Sequence, residues 1–196
     1  TIQWGTTPDP KTWAATDRVD GLSYTVEAAK GSGGQPQRLH EVHVCGLTPD
    51  TTYYYRVGGG SEAPSAWSDV LSFRTLPASP DTAITIAVTG DSRGENANAW
   101  QILQERLAKR GDVGLQLFTG DMVDLAVAQG QYESWLSNGE RDTKGARSMF
   151  GRVLSLIAMG NHENYSSQFF ASVVQPDDRK SYPDQAELFF SIDVGA

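Results

Sequence analysis

A length of 196 residues, 39% of them apolar, and a formal net charge of −8 describe a chain able to bury a core in one large domain or two small ones. Its acidity, with a pI near 4.8, argues against a nucleic-acid backbone or an anionic membrane as a general partner, but not against a phosphate substrate, because bound cations would dominate the field of a carboxylate site. The single cysteine, Cys45, excludes an internal disulfide and a thiolate metal cage, and no apolar run reaches the length of a membrane span.

The chain opens on Thr1-Ile2-Gln3-Trp4, which reads as the middle of a strand, and stops at Ser191–Ala196, which reads as the start of another turn. Both ends are therefore expected to be cut. Up to Thr75 the pattern is short β-rich runs, Leu22–Val26, Leu39–Val44, Thr52–Val57 and Val70–Arg74. Turn chemistry separates them at Thr7-Pro8-Asp9-Pro10, Gly31-Ser32-Gly33-Gly34, Thr48-Pro49-Asp50 and Gly58-Gly59-Gly60. Alternation through Leu39–Val44 and Tyr53–Val57 turns one set of side chains inward, giving a small antiparallel sandwich. His40 and His43 fall on opposite faces of such a strand and read as surface or half-buried residues, and Cys45 is expected in the core. The proline-rich stretch Leu76–Thr82 reads as a stiff linker, so the domains are set at residues 1–76, 77–82 and 83–196.

From Ile84 onward one design occurs three times: an apolar run, a glycine, then a side chain able to bind metal. The copies are Ile84–Thr89 with Gly90-Asp91, Leu115–Thr119 with Gly120-Asp121, and Leu154–Met159 with Gly160-Asn161-His162-Glu163. A helical stripe of Trp100, Leu103 and Leu107, closed by Lys109-Arg110-Gly111, separates the first two, so the order is β-α-β and the sheet parallel. A further helix carries Tyr132, Trp135 and Leu136. Ser166–Val174 reads as helix, Pro176–Gln185 as a polar loop and Glu187–Val194 as a strand. Ligands of parallel sheets sit outside the carboxyl ends of the strands, where all three glycine turns fall. Two carboxylates, an amide oxygen and an imidazole then converge on one place.

Hard oxygen donors without a thiol suit Mg, Mn, Fe or Zn. Two such ions need a bridging carboxylate, and Asp121 on the middle strand is placed for that role. His162 is the candidate catalytic residue, to protonate a leaving oxygen or steady developing charge. Arg93 is open to two readings, a bidentate clamp on a substrate phosphate or an ion-pairing arginine.

The run Gly46–Val57 with Leu47, Pro49 and Tyr53, followed by Trp67-Ser68 and Phe73-Arg74-Thr75, resembles a fibronectin type III domain. Gly90-Asp91, Gly120-Asp121 and Gly160-Asn161-His162-Glu163 resemble the first three motifs of the calcineurin-like metallophosphoesterases, and a fibronectin-like domain ahead of them is similar to the purple acid phosphatases. The resemblance implies an all-β sandwich followed by the first half of an α/β metallophosphoesterase domain. It implies two metal ions, Fe, Mn or Zn, with Asp91 on the first, Asp121 bridging and Asn161 on the second. It also implies His162 near the substrate phosphate, a small phosphate ester as substrate, and secretion or display at the cell surface. Where many relatives carry a metal-binding histidine the chain has Arg93, and where purple acid phosphatases carry a tyrosine it has Asp124, either a replacement ligand or a capping residue. The family's later histidines are not in this sequence, so the isolated 196 residues are expected to turn over little. A binding or adhesion module with a decayed phosphoesterase core is the competing expectation.

Overall fold

The computed structural model describes residues 1–28, 34–58, 66–93, 97–138, 149–173, 192 and 194. The expected loop at 176–185, the expected strand at 187–194 apart from residues 192 and 194, the glycines at 59–60 and most of the 31–34 cluster lie outside them. The chain divides into two compact units, one mainly of Thr1–Thr25 and Arg38–Thr82, the other of Val26–Gln37 and Ala83–Asp193.

In the first unit β1 (Ile2–Gly5), β2 (Arg18–Val19), β5 (Thr52–Val57) and β6 (Leu71–Arg74) form an antiparallel sheet in the order β2-β1-β5-β6. β3 (Leu22–Val26) and β4 (Gln37–Glu41) form a separate pair. Tyr53 faces Phe73 in register, their rings stack with centroids 5.9 Å apart, and Tyr55 meets Phe73 edge-on at 5.7 Å. The inward face predicted by alternation is thus Tyr53 and Tyr55. The Tyr53 hydroxyl accepts the Thr48 N–H at 3.0 Å, tying the strand to the turn before it, as a tyrosine corner does in β-sandwiches. Arg56 lies 4.3 Å over the Trp67 ring and donates twice to Gln3 Oε1.

One expectation is corrected here. The run Leu39–Val44 leaves strand geometry after Glu41, and Cys45 beyond it is exposed rather than in the core. Alternating residues alone do not make a strand when no ladder partner continues beside them.

The second unit is a three-stranded parallel sheet, β7 (Thr85–Thr89), β8 (Val113–Phe118) and β9 (Leu154–Ile157), in that order. α1 (Ala97–Arg110) joins β7 to β8, and α2 (Gln129–Asn138) lies between β8 and β9. Gly111 ends α1 at φ +74°, the left-handed conformation in which glycine terminates helices. α3 (Ser167–Ser172) is capped by Ser166, whose side chain accepts the Phe169 N–H.

The core of this unit joins Trp100, Phe118, Met122, Val123, Tyr132, Trp135, Ile157, Phe169 and Val173. Trp100 and Trp135 stack with centroids 4.8 Å apart, and both meet Phe118 edge-on. This wedge sets the rotation of α1. The residue turned inward after Trp100 is Gln104, while Leu103 is left 37% exposed, so the predicted stripe through Leu103 is corrected by one position. The opposite face of the sheet leaves Ile86, Val88 and Leu154 exposed.

Candidate active site

Each of the three strands ends in the expected glycine turn, and backbone hydrogen bonds carry the ladder past the strands into the turns. Thr119 N–H donates to the Thr89 carbonyl, Asp91 N–H to that of Gly120, Arg93 N–H to that of Asp121, and Ala158 N–H to that of Phe118. The turns are thereby fixed against one another before any side chain is considered.

Close approach explains the glycines. Gly120 sits at φ +101°, and a Cβ there would stand 2.4 Å from the Gly160 nitrogen, while one on Gly160 would stand 2.2 Å from Asp121 Oδ1. Asp91, Arg93 and Asp121 take φ of 51°, 25° and 61°, left-handed values that cost non-glycine residues free energy. All three belong to the same junction.

Asp91 and Asp121 converge on one charged nitrogen. Arg93 Nη2 donates to Asp121 Oδ2 at 3.0 Å and to Asp91 Oδ1 at 3.4 Å. The other Asp121 oxygen, Oδ1, accepts the His162 backbone N–H at 3.0 Å. Burial works to raise the Asp121 carboxyl, but the His162 N–H, the charge on His162 and the Arg93 guanidinium outweigh it and hold the group below the usual carboxylate range. Asp91 is far more open, its side chain 73% exposed.

His162 is held by its ring as well as its backbone. Nδ1 lies 2.9 Å from the Asp124 carbonyl oxygen, which can only accept, so Nδ1 carries the proton. In the neutral ring Nε2 then keeps its lone pair. Asp124 thus acts through its backbone carbonyl, and its carboxylate Oδ1 stands 3.9 Å from the same Nδ1. Gln131 Oε1 accepts the N–H groups of Asp124 and Leu125 and fixes that carbonyl in turn. Asn161 is exposed, and its amide forms no hydrogen bond with Asp91 or Asp121.

The residue that sequence reasoning passed over is Glu163. Its fully buried carboxylate accepts four backbone N–H groups, Oε2 from Gly160 at 2.7 Å and Asp121 at 2.9 Å, Oε1 from Met122 at 2.8 Å and Val123 at 3.2 Å. One side chain therefore ties the turn after β8 to the turn after β9. The available signal was an acid three residues after a turn glycine, where unpaired N–H groups collect. A second support is the Trp135 indole N–H, which donates to Ser92 Oγ at 2.6 Å, between Asp91 and Arg93.

These residues fit a hard cation. Asp91 and Asp121 are oxygen donors already disposed around a positive charge, and glycine at position 160 keeps the space beside Asp121 clear. Among the described residues no group of three His, Cys, Asp or Glu side chains stands together for a metal, so the pair is a partial donor set.

Residues 1–75 match the family model described as the purple acid phosphatase N-terminal domain. The chain is similar to an acid phosphatase of Aspergillus ficuum, 34% identical over 104 residues, a match covering 50% of this chain and 16% of that protein. Its fold is similar to that of purple acid phosphatase PPD1 from seeds of yellow lupin (Lupinus luteus), with a TM-score of 0.62 and 15% identity over 92% of this chain and 36% of that one. The resemblance to purple acid phosphatases, read from a fibronectin-like domain placed ahead of the three glycine motifs, is borne out, and at this identity the structural likeness shows the fold.

Proposed function

We propose that, as a chain similar to purple acid phosphatases, this protein serves metal-dependent hydrolysis of phosphate esters, with phosphomonoesters or nucleotides as the substrate class. In this reading residues 1–76 form an accessory fibronectin-like sandwich, residues 83–196 belong to an α/β metallophosphoesterase domain, and the protein acts outside the cell or on its surface. Asp91, Asp121 and Asn161 would hold the cations, drawn from Fe, Mn and Zn, with Asp121 as the bridge. When bound, such ions supply a nucleophile at neutral pH and neutralise phosphoryl charge.

The remaining work falls to the chain's own side chains. His162, its Nδ1 proton engaged by the Asp124 carbonyl, turns Nε2 toward the reacting group, where it exchanges a proton with the leaving oxygen. Arg93 has the planar donor fork that suits a phosphate. Glu163 holds the Asp121 and Asn161-His162 turns in register.

The observation that carries this reading is the convergence of Asp91 and Asp121, from two adjacent strand ends, on a single cationic nitrogen. Hydrolysis of a chromogenic aryl phosphate by the protein as its host makes it, dependent on added metal and abolished by Asp121→Asn, is the expected result. No metal-dependent hydrolysis of any phosphate ester by that protein would overturn it. One observation favours the competing reading of a binding module with a decayed core: Arg93 already fills the position between the two carboxylates. Elemental analysis separates the two, since a decayed site holds well under one metal per chain.

A further inference from the structure

We propose that Arg93 is the resident of the cation position while no metal is bound, so that metal loading is an exchange that frees the guanidinium for the substrate phosphate. This rests on Asp91 and Asp121 being cation ligands, as proposed above. It adds an order of events: cation first, anion second.

The geometry that supports it is specific to one atom. Arg93 Nη2, rather than the guanidinium as a whole, bridges Asp121 Oδ2 at 3.0 Å and Asp91 Oδ1 at 3.4 Å. A cation gripped by the same two oxygens meets that charge at contact distance, where two positive groups repel strongly. They cannot share the place.

The root of the side chain does not need to move for the exchange. Arg93 N–H is bonded to the Asp121 carbonyl at 3.2 Å, and the side chain is 40% exposed, so the guanidinium has a path into solvent while its backbone stays pinned to the turn. Once displaced it remains within one side-chain length of the carboxylates it left. Its donors are then unpaired beside a cation, and a phosphate oxyanion is the partner they match. Cation and phosphate therefore bind cooperatively through Arg93, and by linkage each tightens the other.

Titration calorimetry of Mn²⁺ into the protein as its host makes it, first without and then with inorganic phosphate, tests this in wild type, Arg93→Met, Arg93→Gln and Arg93→Lys. Both neutral variants should bind Mn²⁺ at least tenfold more tightly than wild type, and Arg93→Lys, which keeps the charge, should stay near the wild-type affinity. With saturating Mn²⁺, phosphate should bind the neutral variants at least tenfold more weakly than wild type. Either neutral variant suffices if the other fails to fold. Equal Mn²⁺ affinity in wild type and neutral variants overturns the exchange and leaves the proposed function standing. Absence of Mn²⁺ binding in every form overturns both.

Discussion

Gly120 and Gly160 meet backbone to backbone, so that a Cβ built on Gly120 would stand 2.6 Å from the Gly160 Cα. The contact joins the turns that carry Asp121 and Asn161, and no rotamer change can relieve it. Gly90 differs: its Cβ would meet the Thr119 hydroxyl, the end of a side chain that can rotate. Gly120→Ala, with a left-handed φ in addition, should cost roughly 2–4 kcal/mol, and Gly90→Ala about 1 kcal/mol. Urea denaturation of the two variants measures the contrast, and equal losses would contradict it.

Glu163→Gln replaces one of two accepting oxygens with an NH₂ that faces backbone donors. Whichever way the amide turns, two of the four N–H groups now bound by Glu163 lose their acceptor in a buried place. A loss of roughly 2–4 kcal/mol is expected, together with faster hydrogen exchange at Asp121, Met122, Val123 or Gly160. Wild-type exchange at all four positions would show that the carboxylate does not hold the turns.

Tyr132 makes alkaline stability a readout of the core. Burial, with a smaller push from the Glu163 charge and against a hydrogen bond with Ser166, raises its pKa from 10.0 to about 12. The folded state then holds the phenolic proton where the unfolded state has released it. Stability from this source is complete below pH 10.0 and falls as pH climbs toward about 12. Tyr132→Phe should flatten that decline in melting temperature between those two values, and an unchanged alkaline limb would remove Tyr132 as its cause.

Ser92→Ala leaves the Trp135 indole N–H without its acceptor next to the Asp91 turn. A loss of about 1–3 kcal/mol is expected, with a shift in tryptophan emission that Ser92→Thr largely restores. If the alanine variant melts like wild type, the bond does not anchor the turn.

Most of the architecture was readable from local pattern. Leu22–Val26 and Thr52–Val57 are strands at the bounds of the β-rich runs that turn residues separate, Gly111 ends α1 in the conformation its position implied, and the three glycine turns lie at one sheet edge. What escaped depends on partners remote in sequence. Cys45 was expected inside because its neighbours alternate, but burial follows from what packs above a strand. Leu103 was expected on the inner stripe because it is apolar, yet ring stacking at Trp100 fixes the helix rotation that exposes it. Glu163 reaches N–H groups about 40 residues earlier in the chain. The Arg93 bridge depends on three left-handed backbone conformations that no residue pattern announces.

Two indoles lying 4.8 Å apart at an interplanar angle of 13° have electronic transitions close enough to mix, which gives Trp100 and Trp135 a shared optical signature rather than two separate ones. Because one of the pair is bonded to Ser92, a circular-dichroism couplet near the indole bands is the expected gauge of whether the Asp91 corner is docked. It requires no label, substrate or turnover, and it vanishes if either ring is replaced.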